Sequence, residues 1–494
     1  MSSMPGSQQL PIDLSSTMDV LPLQRFALDQ FSFYIFRDNV YQIEATEGPR
    51  IMIPVKLIAE LKGLPEETLS AHEAVNEALL SQYTHFSAGA HNETLSRLLR
   101  TNLSQRLSRL TPKLKQELEF IAAQEFPECD EWTPFKAQPF LVRAVARLSG
   151  CSFAGSALSR NEEWMDTSVN YATTVFIAAI KLQFFPKWMR PVAQYFIPDF
   201  YAIPRMVAKA QARLTPIIEE RLRDSEMPGY EKPDDFIQWL LDALPEEQKR
   251  SFGLQAHLQL ILAAASIHTT SNLVTDCVYD LATHQDMQDI LRQEAAEVLE
   301  GSGGGGDGWH GEDSLARLKK MDSFMRESQR LHGNVTSFLR KVMKPIDLSD
   351  GTHLPAGTSL LAPLAGVSRD DRFYPGAETF DGLRFWKLQQ QQQWQQQQQN
   401  SANGGEVKSA NTNASVGNRW QFTSIGDANM NFGLGRHACP GRFFAAAETK
   451  LILAYLVLHY DVRLREGEGR PAPAMFMMTK SPSPDAEILF RRRS

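Results

Sequence analysis

One cysteine in a glycine-rich loop, followed directly by a long apolar helical pattern, constrains this chain more than any other feature. The stretch runs Asn431-Phe-Gly-Leu-Gly-Arg-His-Ala-Cys-Pro-Gly441, and the helical pattern continues from Arg442 through Leu458. A cysteine so placed lies at a helix N-terminus, where free N–H groups and the positive end of the helix dipole stabilise a thiolate. The glycines allow tight turns and a close approach of backbone to a flat ligand. The competing reading is a buried structural thiol, since free cysteine is among the most buried residue types.

A thiolate of that kind is a strong axial ligand for haem iron, because it pushes electron density onto the metal and favours O–O cleavage. Phe432, Gly435, Cys439 and Gly441 fall on the pattern F-x-x-G-x-R-x-C-x-G, with Arg436 read as its arginine. The stretch resembles the haem-binding signature of the cytochrome P450 family. The resemblance implies haem b held by Cys439 and a mainly α fold with small β-sheets, the cytochrome P450 fold. Phe432, Gly435, Gly441 and Arg436 then belong to the cofactor site.

The rest of the chain is compatible with that expectation. Its 494 residues, 43% hydrophobic and 22% charged, are those of an ordinary globular protein. A net charge of −7 argues against general nucleic-acid binding, which needs a basic face. The four cysteines, Cys129, Cys151, Cys277 and Cys439, include no C-x-x-C pair, so neither a disulfide framework nor a zinc site is expected. The best apolar runs, Val175–Leu182 and Leu258–Ile267, fall short of a membrane span. Met1 to Leu21 is polar and lacks a secretory apolar core, so residues 1–21 read as a segment without a membrane anchor. A cytosol-facing protein, peripheral at the endoplasmic reticulum if membrane-associated, is expected.

Residues 22–494 read as a single domain. A short helix is expected over 22–37 and two strands over Val40–Ala45 and Arg50–Pro54. Apolar residues at i, i+3, i+4 spacing predict helices over Leu57–Leu61, Leu95–Leu110, Leu114–Glu125, Phe140–Leu148, Glu163–Leu182, Ala208–Arg223, Leu254–His284, Met287–Leu299 and Ser314–Leu331. Strands return at Lys341–Leu348, Ser359–Ala362 and Tyr460–Leu464. The run 301–306 matches G-x-G-x-x-G by letter but follows a helical pattern, so it reads as a flexible linker rather than a dinucleotide site. Residues 389–417, rich in glutamine and asparagine, read as a disordered surface insertion.

Glu327 and Arg330 stand three apart, on one face of a helix, and can pair. In the resembled family such a pair locks to a third polar residue and holds the haem-side core; Arg384 in Phe380-Asp-Gly-Leu-Arg-Phe385 is assigned as that partner. Ala263-Ala-Ala-Ser-Ile-His-Thr-Thr-Ser271 places small and hydroxyl residues midway along a buried helix, where they leave space and can hold water. The resemblance puts Thr269 at the oxygen-activating threonine and His268 where an acid usually stands. Histidine can itself relay protons near neutral pH. Arg340 and Arg436 are expected to pair with haem propionates, since arginine binds carboxylates bidentately. The family's early W-x-x-x-R is absent, leaving His91 or Arg100 as substitutes.

Asp130-Glu-Trp-Thr-Pro134 and Ser159-Arg-Asn-Glu-Glu-Trp164 resemble fungal members of secondary metabolism, such as ent-kaurene oxidases and indole-diterpene oxygenases. The implied activity is hydroxylation or oxidation of a bulky apolar secondary metabolite with O2. No flavin or NADPH domain is seen, so electrons come from a separate NADPH-cytochrome P450 reductase, with cytochrome b5 as a second candidate donor. Two alternatives stay open: a haem-thiolate isomerase or dehydratase that does not use O2, and a degenerate haem-binding protein.

Overall fold

Apolar residues three and four apart become helices over most of the chain. The computed structural model describes residues 37–45, 48–86, 92–299, 314–402, 419–476 and 479–493. The helices that build the body are α1 (Val55–Leu61), α2 (Ala71–Ala78), α3 (Leu107–Glu125), α4 (Ala137–Ala154), α5 (Glu162–Gln183), α6 (Asp199–Asp224), α7 (Phe252–Thr283), α8 (Gln285–Leu299), α9 (Lys319–His332), α10 (Arg384–Ala402) and α11 (Arg442–His459). Among the described residues twelve short strands accompany them. They are β1 (Tyr41–Ala45), β2 (Gly48–Met52), β3 (Leu69–Ser70), β4 (Thr133–Lys136), β5 (Ser337–Val342), β6 (Ile346–Asp347), β7 (His353–Leu354), β8 (Ser359–Ala362), β9 (Tyr460–Arg463), β10 (Ala474–Phe476), β11 (Thr479–Ser481) and β12 (Glu487–Arg492).

α7 is the axis of the molecule. It packs against α4, α5, α6, α9 and α11, and most of its residues are buried, as in a helix enclosed by others. The main core joins Leu141, Val145, Val274, Val278, Phe324 and Leu451 from four of these helices. A second core, with Ile53, Ile58, Leu360 and Met430, lies under a five-stranded sheet of order β1-β2-β8-β5-β3. In that sheet β2 and β8 run parallel, from Ile51 opposite Leu360, and the other pairs are antiparallel. The remaining strands form an antiparallel sheet β4-β12-β9 and the hairpins β6-β7 and β10-β11.

The expected mainly α body with small sheets is what the structure contains. Four local expectations change, one being the helix read over Ser314–Leu331, which splits at Leu318 into Ser314–Arg317 and α9. The helix read over Leu95–Leu110 breaks into Asn92–Leu98, a π-turn at Leu99–Leu103 and the start of α3, which then runs through Pro112. The strand read over Lys341–Leu348 ends at Val342, and β6 follows separately. The glutamine run is helical to Ala402 rather than disordered from 389. Straight-chain glutamine loses little rotamer freedom in a helix, and the first turn is pre-formed: Ser323 Oγ accepts from Phe385 N at 3.1 Å and Trp386 N at 3.0 Å. Residues 1–21, the helix expected over 22–36, the linker at 301–306 and the stretch 403–418 lie outside the described residues.

Candidate active site at the Cys439 loop

The loop that carries Cys439 is shaped by its own backbone. Cys439 N donates to Phe432 O at 2.7 Å, closing the turn. Gly433 and Gly435 have φ of 69° and 61°, in the left-handed region. A Cβ on Gly435 would lie 2.6 Å from Lys62 O, and one on Gly433 2.8 Å from His437 O, so side chains are excluded at both. Gly441, the N-cap of α11, has φ of −88°, and a Cβ there meets nothing within 4 Å. Phe432 meets Phe422 edge-on at 5.1 Å. Arg442 fastens the loop from the helix side, donating to Cys439 O at 2.8 Å and Thr423 O at 3.2 Å. Burial pushes the Cys439 thiol up, while the Gly441 and Arg442 N–H groups and the Arg442 guanidinium pull it back. Those are the donors that a negative sulfur needs.

Across the core, Ala265 and Thr269 stand one turn apart on α7 and are open to solvent, on a helix otherwise mostly enclosed. Thr269 Oγ1 donates to Ala265 O at 2.8 Å and lies 3.2 Å from Ser266 O, the back-bonding that lets a hydroxyl bend a helix. His268 points elsewhere. Its Nε2 lies 2.8 Å from Val169 O on α5, with Thr173 Oγ1 at 3.4 Å. A carbonyl only accepts, so Nε2 carries the hydrogen. Residue 268 is about 100° round the helix from Thr269, and its ring joins α7 to α5.

The cations also sort differently from the expectation. Arg340, on β5, is buried and donates to Leu339 O at 2.8 Å, with its guanidinium 4.4 Å from the Phe338 ring centroid. It has no carboxylate salt bridge among the described residues, and burial pushes it down to about 10 against the pull of Glu66. Phe338 holds a left-handed φ of 56° where the β5 register slips between Ser337 and Arg340, a strained backbone of the sort found beside ligands. Arg436, by contrast, is exposed and donates to Gly63 O at 3.2 Å. The pattern's arginine stands two residues before the cysteine, and that place belongs to His437. The left-handed turn at Gly435 sends the two side chains apart. His437 Nε2 lies 2.7 Å from Glu66 Oε1 and its ring meets His72 at 5.9 Å. Burial, and then Arg340 nearby, push its imidazole down to about 4, with Glu66 opposing. His437 is the site residue the sequence reading missed, and counting the pattern strictly finds it.

The expected ion triad is formed. Arg330 grips Glu327 with two bonds, Nε to Oε2 at 2.8 Å and Nη2 to Oε1 at 2.7 Å. Arg384 Nε reaches both Glu327 oxygens at 3.0 and 3.1 Å, and Asp381 N donates to Oε1 at 3.0 Å. Arg330 also holds Ser368 O and Ala377 O, and Arg384 holds Gly376 O and Thr379 O. Glu327 is fully buried. The triad thus ties α9 to the start of α10. Of the residues weighed for the early tryptophan–arginine motif, Arg100, in the π-turn, is exposed and donates to Ser96 O on the helix before it, and His91 lies outside the described residues. Cys129, Cys151 and Cys277 are buried, as expected of structural thiols.

These residues suit haem. A half-buried sulfur meets N–H donors, a buried guanidinium has no carboxylate salt bridge among the described residues, and an α7 face is open at Ala265 and Thr269.

The cytochrome P450 family model matches residues 72–490. The cytochrome P450 monooxygenases AN1598 of Emericella nidulans and olcJ of Penicillium canescens are each 33% identical to this chain. Each match covers 93% of this chain, with 81% of AN1598 and 82% of olcJ. Ent-kaurene oxidase P450-4 of Gibberella fujikuroi is 30% identical, over 93% of this chain and 86% of its own length. The solved structure of retinoic acid bound cyanobacterial CYP120A1 shares the fold at a TM-score of 0.66 and 19% identity, covering 92% of each chain. The loop around Cys439 and a family match over most of the length agree: this chain belongs to the cytochrome P450 family and is a monooxygenase of that family.

Proposed function

We propose that this chain is a haem-thiolate monooxygenase that oxidises a bulky apolar secondary metabolite, of terpenoid or indole-terpenoid type, with electrons from a separate NADPH-cytochrome P450 reductase. The observation that carries the reading is the Cys439 loop, which presents a half-buried sulfur to the N–H groups of Gly441 and Arg442. The likeness to ent-kaurene oxidases supports the substrate class. Cys439 Sγ would hold haem b, which would supply the activation of O2 when bound.

The chain's own residues do the rest. Gly441 and Arg442 N–H groups stabilise negative charge on Cys439 Sγ, at the positive end of α11. Phe432 flanks the loop. Arg340 is the cation for a cofactor carboxylate, and Arg436 holds the loop to Gly63 instead. Thr269 keeps a hydroxyl on the open face of α7, where it can hold a proton for the reacting oxygen. His268 positions α5, the helix that leads into the aromatic bridge towards α6.

That bridge supports a peripheral membrane location. Phe184, Trp188, Val192, Tyr195 and Phe196, between α5 and α6, and Tyr201 at the start of α6 are exposed, Trp188 at 79% and Phe196 at 81%. An exposed apolar cluster with Trp and Tyr suits the boundary of a lipid bilayer. No described helix is long and apolar enough to cross a membrane. Cytochrome b5 stands as a second electron donor.

The test is turnover of a panel of diterpenes and indole-diterpenes with purified reductase. NADPH consumption matched to oxygenated product is expected. Product formed without NADPH would instead establish an isomerase or dehydratase.

A further inference from the structure

From Leu388 to Ala402 the helix α10 contains ten glutamines, one tryptophan and no charged residue. Its base is fixed to the body. Phe385 is fully buried, Ser323 Oγ takes the first free N–H groups, and Arg384 is held by Glu327. Beyond that base one face, at Leu388, Gln392 and Gln396, is half-buried, while Gln390, Gln391, Trp394, Gln395 and Gln398 are exposed. Gln391, Trp394 and Gln398 stand three and four apart, the spacing at which one helix meets another. Trp394 is 61% exposed at the centre of this strip. A lone exposed tryptophan means little, but here it is framed by polar residues on a presented helix.

We infer that the outer face of α10 is a self-association surface, and that its partner is the α10 of a second copy of this chain. Each glutamine amide carries both donors and an acceptor, so a strip of them complements an identical strip. The absence of charge matters equally. The chain as a whole carries −7, yet two copies meeting along this strip face no like-charge repulsion there. The ordered base lowers the entropy lost on pairing. Fifteen residues of helix extend about 22 Å, so one seam buries an area at the low end of specific interfaces, and the dimer is weak and concentration-dependent.

The test uses the full-length, haem-loaded protein in sedimentation velocity over a concentration series. The parent should pass reversibly from monomer to dimer. Trp394→Ala should weaken the dimer about tenfold, as for a central aromatic contact. The triple variants Gln391→Glu/Gln395→Glu/Gln398→Glu and Gln391→Lys/Gln395→Lys/Gln398→Lys should each stay monomeric, and their equimolar mixture should dimerise again. An unchanged CO-bound spectrum in every variant shows that the body is folded. A parent that stays monomeric at every concentration overturns the inference. So do variants that associate like the parent, a mixture that does not, or irreversible growth of fibrils in place of a dimer.

Discussion

Removing the Glu327 carboxylate should cost this protein more than any other single change near α9. Its two oxygens accept from Arg330 at 2.7 and 2.8 Å, from Arg384 at 3.0 and 3.1 Å and from Asp381 N at 3.0 Å, with Glu327 fully buried. Glu327→Ala leaves Arg330 buried with carbonyl acceptors but no countercharge. Breaking a buried pair from one side costs ~3–5 kcal/mol. Arg384→Ala should cost less, because the two-bond grip of Arg330 on Glu327 survives it. Arg330→Lys should also fall short, since an ammonium cannot make both bonds at once. The assay is chemical denaturation with haem content measured on the same preparations. Glu327→Ala should load little haem and unfold at much lower denaturant than Arg384→Ala. Normal haem loading, with a loss within the ~1 kcal/mol of a surface pair, would refute the reasoning.

Thr269→Ala should leave haem binding intact while NADPH consumption yields peroxide in place of product. Product formation lower by ~10²–10⁴-fold is expected if the hydroxyl acts as a positioned proton donor, and full coupling in that variant would remove the role. His268→Ala should raise KM for a bulky substrate more than it lowers kcat, because the ring holds α5 through Val169 O; a lower kcat with KM unchanged would contradict that positioning role. Glu448, buried on α11 with Ser149 Oγ at 2.9 Å, is raised by burial from 4.5 to about 8. The folded chain therefore binds a proton that the unfolded chain releases, and stability from this group is lost as pH rises from 4.5 towards 8. Glu448→Gln should flatten that fall in thermal unfolding scans, and an unchanged slope would contradict it.

The parts of the site that were legible in the sequence are those written in consecutive residues. Cys439 and its glycines share one loop, so their spacing carries their geometry. Glu327 and Arg330 share one helical face, and α7 showed its small residues as a break in an apolar run. What escaped the sequence depended on direction and on distant partners. Whether Arg436 or His437 turns inward is decided by the left-handed backbone at Gly435 against Lys62 O. Where His268 points is decided by α5 passing beside α7. β4 and β12 pair across more than three hundred residues, Thr133 opposite Phe490, and Pro134 weakens the local strand signal. The glutamine helix reads as disorder by composition, and only its buried base at Phe385 shows why it begins.

The central claim is that Cys439 is the axial thiolate ligand of haem, and the spectrum of the reduced, CO-bound protein tests it most directly. The parent should show the far-shifted Soret band of a thiolate ligand. Cys439→Ser should lose that band, while Cys151→Ser and Cys277→Ser keep it. A Cys439→Ser protein that retains the shifted band would contradict the account.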